Sequence, residues 1–135
     1  MSVTRTMSNY RYLNLNPEKH DTQDCTIRAI SLFLNKDWDD VYLNVAAEGL
    51  KQKRMPSSDS VWGAYLELEG CMAYRIPHEC PYCYSVKEFA REHRTGTYLL
   101  KVEGHVVCVI NGYYYDTWDS GNEIVLYYWE RSNSI

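Results

Sequence analysis

No apolar run in this chain approaches the roughly 20 residues that a membrane-spanning helix needs. The first residues, Met1-Ser2-Val3-Thr4-Arg5, hold no hydrophobic stretch of the kind a secretory signal carries. Basic charge is scarce as well. Fourteen Lys and Arg against eighteen Asp and Glu leave a net charge of −4, with no dense basic patch, which argues against a nucleic-acid partner. Repeats, low-complexity segments and composition breaks are all missing. The cysteines are few and odd in number (Cys25, Cys71, Cys80, Cys83 and Cys108), which suits reduced thiols better than a disulfide framework. These absences lead us to expect a cytoplasmic protein with no membrane partner.

What is present fits one domain. At 135 residues, with 45% hydrophobic and 24% charged residues, the chain is long enough to bury a core without staples. We expect a single domain over 1–135, with 1–15 a flexible or strand-forming N-terminal segment. Helical spacing comes first along the chain. An apolar helix runs over Cys25–Leu34; a second is capped by Asp37, with Trp38, Val41, Tyr42 and Val45 on one face. The polar stretch from Lys51 to Ser58 connects to a third helix that starts at Asp59 or Ser60 and ends near Gly70. Ser85-Val86-Lys87-Glu88 is a capping-box signature for a short fourth helix. Strands follow: Thr97–Val102, Val106–Ile110, Tyr113–Trp118 and Ile124–Trp129 read as an antiparallel meander. Helices followed by strands mean α+β. Thirteen tyrosines, several in Tyr113-Tyr114-Tyr115 and Tyr127-Tyr128, suit strand packing.

The chemistry concentrates on Cys25. A thiol at a helix N-terminus favours its thiolate, a histidine can take the proton, and an acid can hold that histidine in one tautomer. His105 and Asp116 are the partners that strand geometry selects. Asn111-Gly112 between two apolar runs predicts a two-residue type I′ turn. That turn sets Ile110 opposite Tyr113, Val107 opposite Asp116 and His105 opposite Trp118. His105 and Asp116 then share a face as diagonal neighbours, and Asp119 falls on the other face. A buried cysteine or a strand-opening histidine is ordinarily structural when taken alone. The combination of order, shared face and orienting acid carries the catalytic reading.

At these residues the chain resembles the papain-like cysteine peptidases. That superfamily carries its nucleophilic Cys at the start of a central helix, followed by His and Asn or Asp on later strands. Asp116-Thr117-Trp118 is similar to the family's Asn-Ser-Trp segment, whose indole shields the histidine pair from water; here that indole is Trp118. The short length and the Asp24-Cys25 start are more similar to the compact C39-like branch and to small phage-encoded cysteine peptidase domains. The resemblance spans about Asp24 to Trp129. It implies a central N-terminal helix packed on a C-terminal antiparallel sheet. It also implies hydrolysis of a peptide, amide or isopeptide bond through a thioester acyl-enzyme, with no cofactor and a peptide or protein substrate, in a bacterial or phage-infected cell. One position departs from the family. An oxyanion-hole glutamine is expected about six residues before the cysteine, where this chain has Lys19. Gln23 is the nearest glutamine, with the Cys25 backbone N–H as a second donor; His20 and Asn16 are alternatives.

Two other readings stand beside this one. Cys71, His78, Cys80 and Cys83 form an incomplete zinc-ligand set, since structural sites ordinarily use two well-spaced pairs and Cys71 reads as the end of an apolar helix, where burial is the default. A non-catalytic binding protein on the same fold, such as a phage inhibitor of a host or defence protein, fits the small size, acidity and abundant tyrosine. In that case Cys25→Ala leaves biological activity intact and surface Tyr substitutions abolish it.

Overall fold

Ile27, Ala29, Ile30, Phe33 and Leu34 fall three or four residues apart, which is why Cys25–Leu34 (α1) forms a helix and buries that side. Asn35, in the left-handed conformation at φ 55°, ends it, and the next backbone N–H groups return to Ser31 and Leu32. The computed structural model describes residues 8–76 and 84–131. Within them, α1 is preceded by β1 (Tyr10–Tyr12) and followed by α2 (Trp38–Gln52), α3 (Asp59–Leu68) and β2 (Cys71–Arg75). Next come α4 (Val86–Glu92), β3 (Thr97–Val102), β4 (His105–Ile110), β5 (Tyr113–Asp116) and β6 (Val125–Arg131). The class is α+β, as expected: four helices and a six-stranded mixed sheet in the order β1-β5-β4-β3-β6-β2.

The sheet is covered on both faces. Ile30, Phe33, Val41, Trp62 and Leu66 of the first three helices pack on Leu99, Val106, Cys108 and Trp129. Phe89 and Ala90 of α4 pack on Leu100, Val107, Val109 and Tyr114. Neighbouring residues of one strand thus enter opposite cores, and burial on both faces explains the unbroken apolar run Val106–Ile110. Burying side chains such as Phe33 and Ile30 fully stabilises the fold by about 1.5–3 kcal/mol each. At α4, Ser85 accepts from the Glu88 backbone while the Glu88 carboxylate accepts from the Ser85 N–H, completing the expected capping box.

Three features differ from the sequence reading. The strands are not a simple antiparallel meander: β6 pairs with β3 rather than β5, because the free edge of β5 is taken by β1, in parallel. The turn from 117 to 124 instead crosses to the other side of the sheet, held by Lys87 N–H to Gly121 and Val86 N–H to Glu123. Cys71 does not end a helix. It opens β2, antiparallel to β6, after Gly70 at φ 86° has turned the chain. Strand pairing adds a third difference. The turn at Asn111 (φ 50°) and Gly112 (φ 87°) sets Ile110 opposite Tyr113 as expected, but the β4–β5 ladder stops at Cys108–Tyr115. The cross-strand pairs Val107–Asp116 and His105–Trp118 therefore do not form as ladder pairs. The N-terminal segment contributes a strand, and no described helix is long and apolar enough to cross a membrane.

Candidate active site

Asp24 occupies the N-cap of α1 but makes no capping bond. Its carboxylate is committed sideways, accepting from Arg28 Nε at 2.7 Å, Trp38 Nε1 at 2.8 Å and Asn16 Nδ2 at 3.1 Å. The first backbone N–H groups of α1 therefore go without a side-chain cap, and Cys25 is the first helical residue, where the helix dipole favours an anion. Cys25 is half-buried beside His105. Burial works against its thiolate, but interactions with His105, the Val106 backbone and Thr26 outweigh it, and the thiol pKa falls below its ordinary value.

His105 sits at the β3–β4 turn, opposite Val102, with Gly104 at φ 68° making the reversal. Its Nε2 lies 2.5 Å from Asp116 Oδ2. Because a carboxylate only accepts, Nε2 carries a proton, and Nδ1 remains for the thiol. Burial disfavours the charged ring, yet the hydrogen bonds to Asp116 and Cys25 prevail and raise the His105 pKa to about 9. The two shifts run in opposite directions, each toward the charged form of its group.

Asp116 is 2% exposed and fully engaged. Besides His105, it accepts from Ser120 Oγ at 2.7 Å and the Thr117 N–H at 2.8 Å, with Arg28 Nη1 3.6 Å away. Asp119 is turned elsewhere: its Oδ1 accepts from the Tyr114 hydroxyl and the Gly121 N–H. The histidine is thus partnered by Asp116, although the ladder ends before reaching it. The Trp118 ring stands 4.9 Å from the His105 ring, tilted by 41°, and remains 45% exposed.

Cys25, His105 and Trp118 open onto a cleft of about 430 Å³ that Gln23 also lines. Gln23 takes a left-handed backbone conformation, φ 55°, in the loop entering α1. The alternatives Asn16 and His20, and Lys19 at the position where the family has its glutamine, do not line this cleft. Asn16 is buried with its amide on Asp24, Lys19 donates to the Asn14 carbonyl, and His20 lines the adjoining groove instead of this cleft. Of the zinc set, Cys71 is buried in the core, where desolvation lifts its thiol to about 11. His78, Cys80 and Cys83 lie outside the described residues. Among the described residues no group of three His, Cys, Asp or Glu side chains is placed to hold a metal ion.

Sequence reasoning missed Arg28, which bridges Asp24 and Asp116, and Ser120, which is wholly buried against Asp116. The four-residue spacing of Asp24 and Arg28 on α1 was a legible signal for their pair. Nothing local announces Ser120. Comparison of the chain with protein-family models, with curated proteins and with solved structures finds no match in any of the three.

Proposed function

We propose that the protein is a thiol hydrolase of papain-like type, a C39-like cysteine peptidase or amide or isopeptide hydrolase working through Cys25, His105 and Asp116. The observation that carries this reading is geometric: Cys25 and His105 share one cleft, and His105 Nε2 is bonded to the buried Asp116 carboxylate; the lowered Cys25 pKa and raised His105 pKa support it. The Cys25 thiolate attacks the carbonyl carbon of the scissile amide. The oxyanion is met by the Cys25 N–H and the Gln23 side-chain amide. The proton on His105 Nδ1 passes to the leaving amine, leaving a thioester on Cys25. His105 then takes a proton from water, or from an acceptor amine, as that nucleophile attacks the thioester; the C–S bond breaks, the acyl product leaves, and the Cys25 thiolate and His105 imidazolium are restored. Asp116 holds the ring and its charge; Trp118, against the imidazole, limits water at that hydrogen bond.

Alkylation by iodoacetamide, mapped to individual cysteines, tests the nucleophile. Cys25 is expected to react at neutral pH far faster than Cys71 or Cys108, whose thiols burial pushes up. His105→Ala is expected to slow Cys25 by about 10²-fold through loss of the thiolate's partner. A Cys25 rate no greater than that of a free thiol, or indifferent to His105→Ala, removes the proposal and favours the binding-protein reading.

The pH dependence separates the two roles. Hydrolysis of a peptidyl anilide needs both thiolate and imidazolium. It is expected to rise below the ordinary thiol value of about 8.5, as Cys25 ionises early, and to fall as pH rises through about 9, where His105 loses its proton. Alkylation needs only the thiolate, so its rate is expected to hold above pH 9. Parallel alkaline declines in both would contradict the assignment of His105 as proton donor.

A further inference from the structure

A pocket of about 340 Å³ lies at the end of the sheet away from Cys25, where the Asn111-Gly112 turn meets the end of α4 and the start of β1. His105 and Ile110 bound β4, so at about 3.4 Å per residue the turn stands roughly 17 Å from His105. Its backbone is fixed on several sides. The Asn111 N–H donates to the Gly96 carbonyl, the Tyr114 N–H to the Asn9 carbonyl, and the Asn9 side-chain amide to the Gly112 carbonyl at 2.7 Å. Gly112 packs so closely on α4 that a Cβ would lie 3.4 Å from the Ala90 carbonyl and 3.5 Å from Arg94 Cα. These bonds occupy acceptors and leave donors. Asn111 Oδ1 accepts from the Gly96 N–H at 3.0 Å, so its NH2 is left to donate. Ser8 Oγ accepts from the Tyr10 N–H at 3.1 Å, which leaves the Ser8 O–H. Arg91 and Arg94 line the same pocket, neither in a salt bridge among the described residues, and no Asp or Glu lines it. Arg11 adds a third cation at the rim: its guanidinium lies 4.2 Å from the centre of the Tyr113 ring, and its Nη1 donates to the Ser8 and Tyr10 carbonyls. In a chain of net charge −4, the fold thus gathers one local field of positive sign.

We propose that this pocket binds the phosphoryl group of a phosphate monoester. At neutral pH that group carries between one and two negative charges and three strong acceptor oxygens. The Arg91 and Arg94 guanidiniums match such oxygens in bidentate fashion, and the Ser8 O–H and Asn111 NH2 supply further donors. A carboxylate offers one charge and two oxygens, and a sulfate ester one charge, so each satisfies less of the site. The turn and the first strand are already tied together, so binding costs little ordering of the backbone. The monoester arrives either as a small molecule or as a phosphorylated residue of a peptide, and the recognising chemistry is the same. The site is separate from the Cys25 cleft and does not depend on the thiol chemistry.

Phenyl phosphate, phenyl sulfate and benzoate are titrated into the isotope-labelled 135-residue chain and followed by the NMR signals of its amide groups. Phenyl phosphate is expected to saturate, with the largest shifts at Gly112 and at the Asn111 side-chain NH2, and to bind about tenfold more tightly than either monoanion. Arg91→Gln with Arg94→Gln is expected to weaken it about tenfold or more. Arg91→Lys with Arg94→Lys keeps the charge but not the forked donors, and is expected to lose about threefold. Circular dichroism checks that both double variants keep the fold, and the Lys pair carries the test if the Gln pair does not. A phosphoserine peptide and its unphosphorylated twin then identify the source. Tighter binding than phenyl phosphate, absent in the twin, assigns the site to a phosphorylated peptide; affinity equal to that of phenyl phosphate assigns it to a small phosphate monoester. Equal binding of all three anions overturns the proposal, as general attraction to positive charge. Shifts centred away from the Asn111-Gly112 turn, or an affinity unmoved by both double variants, also overturn it.

Discussion

Replacing Asp116 by Ala is expected to lower amide turnover about 10²-fold or more, by analogy with orienting acids in Ser-His-Asp enzymes. The imidazole then loses the acceptor that holds Nε2 protonated and Nδ1 turned toward Cys25. It also loses the buried negative charge that sustains the imidazolium. Asp116→Asn keeps an oxygen for His105 and is expected to be milder, yet not neutral. All four partners of the Asp116 carboxylate donate: His105 and Ser120 at Oδ2, the Thr117 N–H and Arg28 at Oδ1. An amide NH2 placed at Oδ1 would face two donors and leave them unpaired. About a tenfold loss in turnover, with some loss of stability, is the expected outcome. Asp119→Ala removes bonds to Tyr114 and Gly121, so it should weaken the turn with little kinetic effect. Circular dichroism of each variant confirms the fold, and the ratio of turnover rates decides the matter. A larger kinetic loss from Asp119→Ala than from Asp116→Ala would mean that the orienting acid is wrong.

The structure brings His105 and Asp116 together, but by a partly different route than the one the sequence suggested. The two-residue turn at Asn111-Gly112 is local chemistry, since both residues tolerate positive φ, and it set the register of Ile110 and Tyr113 correctly. Extending that register two more pairs assumed a continuing ladder. The ladder ends at Cys108–Tyr115, and β5 instead holds β1, with the Leu13 N–H on the Asp116 carbonyl. His105 and Asp116 meet through their side chains beyond the paired region.

Helices were more legible than strand partners because amphipathic spacing is contained within a segment. The bounds of α1 could be read from its apolar period, and the capping box at Ser85 from four residues. Pairing depends on what occupies each sheet edge, and no segment encodes its own partner. Tyr10–Tyr12 and Cys71–Arg75 are short, and β2 is mostly exposed, so neither shows an alternating pattern. The polar half of the site was hidden for the same reason. Ser120, Asn16 and Trp38 come to Asp116 and Asp24 only through the fold.

Arg28 shows how much that hidden half matters, and Arg28→Met is expected to destabilise the protein by about 3–5 kcal/mol at neutral pH. Its guanidinium is 12% exposed between two carboxylates that are 6% and 2% exposed, at 2.7 Å from Asp24 and 3.6 Å from Asp116. Methionine keeps the apolar stem and removes the only cation paired with either acid, other than His105, among the described residues. Asp116 then keeps only His105 as a positive partner and Asp24 has none among the described residues, so the penalty is desolvated, uncompensated charge. The acid dependence identifies this cause. In the wild type, burial raises the Asp24 pKa and the hydrogen bonds from Arg28, Asn16 and Trp38 more than reverse it, leaving the carboxyl below its usual range. A depressed folded pKa gives stability that is present above the unfolded value of about 3.9 and lost as pH falls through the folded value. Without Arg28 the Asp24 carboxyl loses two of the four interactions that lower it and its pKa rises, so acidification costs the variant less than the wild type. Urea unfolding across pH is therefore expected to show the gap between the two proteins widest near pH 7 and closing below about pH 4. A gap under about 1 kcal/mol at pH 7, or one that stays constant on acidification, would mean that Arg28 acts through packing alone and that the two acids are satisfied without it.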